Sequence, residues 1–197
     1  VQIGNRLLKP EYTTQYNLGI VYNKSFDKGI FNNIGIQADA YYNRVTDKII
    51  ATPTSNQLVW TMVNLGYVEI KGVDVGITQG FKFDQVIFNT RLNYTYQTAK
   101  DLTPEKDSGG SGGSDHTENF FGHQIPYIPW HSGSAIVNAS YRSWDLNYSF
   151  IYTGERYMLG GNIPENYIQP WYTHDMSVTK NFQTKKSTFK ITAEINN

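Results

Sequence analysis

The four histidines are the residues here whose type most readily suggests chemistry: His116, His123, His131 and His174. Three of them fall in or beside one long stretch between periodic segments, which raises metal or haem contact as a question. Their spacing fits no standard metal site, and with no cysteine there is neither a thiolate ligand nor a disulfide to consider. His174 shares its parity with Met176 and Val178 and reads better as one more ring in an aromatic band. No nucleophile–base pattern and no phosphate-cradling glycine loop occurs, so no catalytic role, metal or cofactor is assigned. The residues better suited to recognition are Trp60, Tyr127, Trp130, Tyr157 and Tyr167, all in segments that read as loops. Loops on a rigid scaffold commonly carry binding, and rigid rings bury area at little entropic cost. Trp130 and Tyr157 serve equally well as anchors where loop bases meet a membrane interface, and both readings stand at this point.

Asp39, Arg91, Asp145, Asp175, Lys190 and Glu194 form a second group, on the polar parity of their segments. They could line a ligand path. Hydrogen bonding and ion pairing with neighbouring structure is the preferred reading, because polar groups on an enclosed face need partners. The stretch Asp107–Ser114, DSGGSGGS, is a flexible, low-complexity segment expected to carry little binding energy.

What positions these residues is a run of strands. Aromatics make up 15% of the chain, and charged residues only 17% against a usual quarter. Such composition favours strands over helices. Net charge is +0, so nothing suggests nucleic acid, whose binders need a basic face. No apolar run is long enough to cross a bilayer as a helix.

The period is two. Tyr12, Thr14, Tyr16, Leu18, Ile20 and Tyr22 oppose Thr13, Gln15, Asn17, Gly19 and Val21. The same alternation recurs through Ile34–Asn43, Val86–Gln97, Trp144–Tyr152 and Phe189–Ile195, with two further strands over Ala135–Tyr141 and Tyr172–Phe182. One strand breaks phase: Val73, Val75 and Ile77 share their parity with Glu69 and Lys71, so a bulge near Gly72 is expected to rescue both charges. The total is about eight strands. Short turns are expected at Phe26–Asn32, Lys82–Gln85, Arg142–Ser143 and Gln183–Lys186. Long connections are expected over about Thr46–Thr61, Lys100–Trp130 and Gly154–Pro170. Short turns at one end and long loops at the other are what transmembrane barrels show. A soluble sandwich shares the period. The opposing face, however, is Asn, Gln, Thr and Gly with few Lys or Glu, unlike a solvated surface. The fold class is therefore all-β, an antiparallel transmembrane barrel meander.

Several segments carry a family resemblance. Leu8-Lys9-Pro10-Glu11 with Tyr16-Asn17-Leu18-Gly19, ADAYYNRVTDKI over Ala38–Ile49, and VNLGYVEIKGVDV over Val63–Val75 resemble barrel strands of TonB-dependent outer-membrane receptors. In the third segment Asp74 stands where Glu is commoner. YTGERY over Tyr152–Tyr157, Asp175–Phe182 and Ile195-Asn196-Asn197 resemble that family's last strands. The texture is similar to receptors of the Bacteroides group. The resemblance covers nearly all of residues 1–197 and implies the C-terminal portion of a barrel of about 22 strands around a plug. It implies ligand-specific, TonB-dependent import of a scarce nutrient such as a siderophore, haem, cobalamin or glycan across the bacterial outer membrane. The implied partners are the TonB complex, reached through an N-terminal region, the plug and remaining barrel strands, outer-membrane lipid, and a small extracellular ligand. The plug, the TonB-contacting segment and the final strand are expected to lie outside this sequence. A passive porin, an adhesion barrel or an outer-membrane enzyme remain alternatives, the last needing a Ser–His pair that cannot be placed.

Overall fold

The computed structural model describes residues 2–54, 58–104 and 120–197, so His116 and the Asp107–Ser114 stretch lie outside the described residues. Strands carry nearly everything. In order they are β1 (Gln2–Ile3), β2 (Tyr12–Ser25), β3 (Phe31–Pro53), β4 (Trp60–Phe83), β5 (Val86–Asp101), β6 (His131–Tyr141), β7 (Trp144–Thr153), β8 (Arg156–Tyr157), β9 (Tyr167–Ile168), β10 (Trp171–Gln183) and β11 (Thr188–Ile195). The eight long strands pair antiparallel, each with its predecessor and successor, in the order β11-β10-β7-β6-β5-β4-β3-β2. Short β1 adds a parallel pair beside the start of β4, and β8–β9 form a small hairpin of their own.

Register makes one face predominantly apolar across the sheet. Leu18 pairs with Ala40, Ala40 with Val73, and Val73 with Tyr96. A row nearer the short turns runs through Phe88, Ala139, Leu146, Val178 and Ala193. Leu18, Ile36, Phe88, Leu146 and Ile191 all stand on this face and all are exposed, Leu18 at 72%. A sandwich would cover such a face with a second sheet. Burying one of these large side chains contributes about 1.5–3 kcal/mol, which an uncovered face in water forgoes. Among the described residues the buried hydrophobic cluster is Val45, Val68, Ala99 and Ile125, on the opposite face near the long-loop end.

The tight connections stand where the alternation placed them, at residues 26–30, 84–85, 142–143 and 184–187, between the ends of consecutive strands. Asp84 and Arg142 take the left-handed conformation that two-residue turns require. Two expectations need correction. The connection over Thr46–Thr61 is mostly strand: β3 runs on to Pro53 and β4 starts at Trp60, with Ala51 against Met62 and Thr52 against Thr61. Mutual pairing of the two backbones sustains strand where the side-chain alternation has faded. At 23 and 24 residues these strands reach roughly 75 Å at about 3.3 Å per residue, far more than a tilted membrane crossing needs.

The second correction concerns Gly72. Pairing continues unbroken from Arg44↔Glu69 through Tyr41↔Gly72 to Ala40↔Val73, and the register irregularity of this pair lies instead between Phe31 and Asn33. Glu69 and Lys71 stay on the apolar face and satisfy each other, the Lys71 ammonium 2.7 Å from a Glu69 carboxylate oxygen. Gly72 has a packing reason. A Cβ there would stand 2.5 Å from the Tyr41 hydroxyl oxygen and 2.5 Å from the Tyr96 carbonyl oxygen. The bare backbone lets the Tyr41 ring lie across the neighbouring strand, where its hydroxyl donates to Gln97 Oε1 at 3.1 Å. Gly72→Val is therefore expected to destabilise the barrel by about 2 kcal/mol. The measurement is a lowered transition midpoint in heat-modifiable gel mobility, and an unchanged midpoint would refute this packing role.

Candidate functional site

The segment before β6 reads Gln124-Ile125-Pro126-Tyr127-Ile128-Pro129-Trp130. Two prolines in it lack an N–H and hold the residues before them extended, so it cannot continue the β5 ladder as a strand. It folds instead across the polar face. Ile125 packs into the cluster with Val45, Val68 and Ala99, and its N–H donates to the Ala99 carbonyl at 2.8 Å. Tyr127 takes φ 63°, a costly conformation for a side chain of its size, and is held there by its N–H donating to the Tyr157 carbonyl at 2.8 Å.

Gln124 is the hub, 1% exposed. Its Oε1 accepts from the Ala99 N–H at 2.8 Å, and its Nε2 donates to the Ile128 carbonyl at 3.2 Å. Its backbone N–H donates to Asn162 Oδ1 at 2.7 Å, and Asn162 Nδ2 returns a bond to the Gln124 carbonyl at 3.0 Å. The Asn162 N–H donates to His123 Nδ1 at 3.2 Å. Asn162 belongs to the β7–β10 connection, so this exchange ties two long loops into one body over the sheet's polar face. Gln124→Ala is expected to cost about 1–3 kcal/mol, the penalty for orphaning buried partners. Faster hydrogen exchange at the Ala99, Gln124 and Tyr127 amides would report it, and unaltered protection would argue against the hub.

Four of the five candidate aromatics meet on this body. Trp130 and Tyr157 meet edge to face with centroids 5.6 Å apart, and Tyr157 and Tyr167 do the same at 6.0 Å. Tyr157 pairs with Tyr167 across the β8–β9 hairpin, and Tyr127 joins through its backbone bond to Tyr157. The Tyr167 hydroxyl donates to a Glu155 carboxylate oxygen at 3.0 Å, and that bond raises the phenol above its ordinary pKa. Trp60 stands apart. It opens β4, paired with Pro53 on one side and Gln2 on the other. The cluster offers ring faces and edges plus one carboxylate, suited to holding a molecule rather than reacting with one. Sequence reasoning missed Gln124, Asn162 and Glu155. The two prolines closely following Gln124 were the available sign that its side chain must replace a strand's hydrogen bonds.

The three described histidines are separately engaged. His123 accepts from Asn162, His131 lies 2.7 Å from the Tyr94 hydroxyl, and His174 lies 2.7 Å from the Tyr148 hydroxyl. His174 also sits against Phe150 and Tyr172, the aromatic company expected for it. Of the polar-face charges, Asp39 accepts from Gln37, Asp145 from Ser140 and Asn181, and Asp175 from the Asn197 N–H. Arg91 lines a shallow hollow with Asn33, Asn89 and Asn138. Among the described residues none of these charges makes an ion pair.

A family model described as "TonB dependent receptor-like, beta-barrel" matches residues 1–197. The chain belongs to this family. The solved structure of the copper transporter OprC superposes with a TM-score of 0.64 at 15% identity, covering 98% of this chain and 26% of that one. The outer membrane transporter YddB from Escherichia coli gives 0.59 at 14%, covering 100% and 30%. The ferric yersiniabactin uptake receptor FyuA from Yersinia pestis gives 0.57 at 14%, covering 93% and 28%. No curated protein matches the sequence. The chain therefore spans between a quarter and a third of the length of these structures. Family membership explains the open sheet: this is part of a barrel wall, with its apolar face outward and its polar face toward the lumen. The long-loop body built on Gln124 thus lies on the lumen side of the wall.

Proposed function

We propose that this chain is the C-terminal barrel portion of a receptor that imports a scarce nutrient across the bacterial outer membrane, driven by the TonB complex. Membership of the TonB-dependent receptor family over the whole chain carries this reading. The plug, the remaining strands and the TonB-contacting segment belong to the rest of the protein. The aromatic cluster of Trp130, Tyr157 and Tyr167, with Tyr127 beside it, is the part of this wall that meets the extracellular ligand. Its position supports this: the loop body projects over the lumen face at the long-loop end, and its rings are held by hydrogen-bonded backbone. A siderophore, haem, cobalamin or glycan each presents the extended apolar or polarisable surface that such rings engage. The receptor family and its transport neighbours support a role without catalysis.

Uptake of radiolabelled members of these classes tests the reading, in cells carrying the full receptor with and without an intact TonB complex. Saturable uptake of one class, abolished without TonB, is the expected result. Uptake that persists without TonB would make the barrel a passive pore.

A further inference from the structure

The apolar face carries a group of charges that barrel closure does not explain. Arg44, Glu69 and Lys100 stand in one row across β3, β4 and β5, and Lys71 follows Glu69 on the same face. Lys71 takes up Glu69 at 2.7 Å, leaving Arg44 and Lys100 without an ion pair among the described residues. Tyrosines surround them. The Arg44 guanidinium lies 4.8 Å from the Tyr67 ring centroid, and the Tyr42 hydroxyl donates to Glu69 at 3.1 Å. Arg44, Lys71 and Lys100 are exposed, and the neighbouring Lys48 is already neutralised by Glu11 at 3.0 Å. Among the described residues, three cations against one carboxylate leave this patch positive although the whole chain is neutral.

Its height is set by the strands. Thr14 pairs with Arg44, and Lys24 lies on the same face of β2 toward the short turns. From Thr14 to Lys24 is roughly 33 Å of strand, or roughly 23 Å of height at a tilt near 45°. The lipid-facing band of an outer-membrane barrel is about 25 Å tall. Tyr16, Leu18, Ile20 and Tyr22, with Ile36, Ala38, Ala40 and Tyr42 across from them, fill that interval. The patch therefore sits at the top of the band on the long-loop side, at the level of lipid headgroups. Cations held there attract anionic lipid, and tyrosine rings suit the same depth.

We propose that Arg44, Lys71 and Lys100 form an outer-surface site for the phosphate group of an anionic lipid headgroup in the outer leaflet. Arg44 supplies a planar two-pronged donor, and Lys71 and Lys100 supply point charges. The site rests on the outer-membrane placement proposed above, but it requires neither a transported ligand nor TonB.

The test uses the purified full-length receptor in neutral detergent, titrated by native mass spectrometry with bisphosphorylated lipid A and with the same lipid after removal of its phosphates. The phosphorylated lipid should bind more tightly. The Arg44→Gln/Lys100→Gln double variant should lose on the order of tenfold in its affinity, while Lys180→Gln, which lies beside Trp144 on the same face at the short-turn end of the band, should not. Millimolar inorganic phosphate should fail to displace the lipid. Equal affinity for both lipids, an unaffected double variant, or displacement by inorganic phosphate would each overturn the proposal, the last by making this a free-anion site. If the double variant does not reach the heat-modifiable folded form, Glu69→Gln decides: removing the carboxylate that competes for these cations among the described residues should tighten lipid binding, and unchanged or weaker binding refutes the site. All readouts are made without ligand or TonB, so failure here leaves the import reading standing, and failure of import leaves this measurement intact.

Discussion

Produced alone in buffer without detergent, residues 1–197 are expected to aggregate rather than give a monomer that unfolds cooperatively. Two features of the structure drive this. β2 and β11 close the sheet order at either end, and each has one edge with no strand partner among the described residues. Such edges pair with whatever strand they meet, and neither lipid nor water satisfies a row of them cheaply. The other feature is the outward face: Tyr16, Leu18 and Ile20 on β2 and Phe189, Ile191 and Ile195 on β11 are exposed well beyond half. Side chains of this size, at about 1.5–3 kcal/mol each when removed from water, drive association of copies. Against this, among the described residues the lumen side buries a small cluster around Val45 and Val68. Size-exclusion chromatography and chemical denaturation check it. A monodisperse monomer with one cooperative transition in plain buffer would contradict a membrane barrel wall outright.

Tyr157→Ala in the full receptor is expected to weaken ligand binding several-fold to tenfold while barrel assembly proceeds normally. Tyr157 is the middle ring of three, touching Trp130 on one side and Tyr167 on the other. Its removal deletes both contacts and frees the rings it holds. An aromatic pair contributes about 0.5–1.5 kcal/mol beyond area burial, and losing part of that preorganisation from the ligand-facing rings accounts for the expected range. The backbone bond from Tyr127 to the carbonyl of residue 157 survives the substitution, so the loop's path is kept. Trp60→Ala is expected to have the smaller effect, because Trp60 opens β4 and stands apart from these rings. Shortening Asp107–Ser114 should matter least. Titration of the purified receptor with the ligand it transports reads the affinities, and heat-modifiable gel mobility controls for folding. Unchanged affinity in Tyr157→Ala, alongside a large loss on trimming Asp107–Ser114, would move the binding role from the β7–β10 connection to the β5–β6 connection.

Sequence alternation was enough to establish the strands, their faces and the end at which the short turns lie. A period of two is a property of the backbone itself, so Tyr12 to Tyr22 or Trp144 to Tyr152 declares its two faces without reference to anything distant. The family texture, read from segments such as VNLGYVEIKGVDV, rests on the same local information. Other features needed partners far along the chain. The extension of β3 to Pro53 depends on β4 lying beside it, since neighbouring backbones supply the hydrogen bonds that the faded alternation does not announce. Gly72 is a glycine because Tyr41 crosses it, and the Glu69 and Lys71 charges are tolerated because they meet each other. Gln124 becomes a hub only when Ala99 and Asn162 converge on it. The loop aromatics were recognisable by type, but their grouping was not. Tyr157 meets Tyr167 through the β8–β9 hairpin and Trp130 through the folding of a separate loop, whereas Trp60 is held elsewhere by β3 and β1. Residue type and parity are local, so the sequence alone determined them. Proximity between loops is set by long-range hydrogen bonds across the lumen face, and only the tertiary structure decided it.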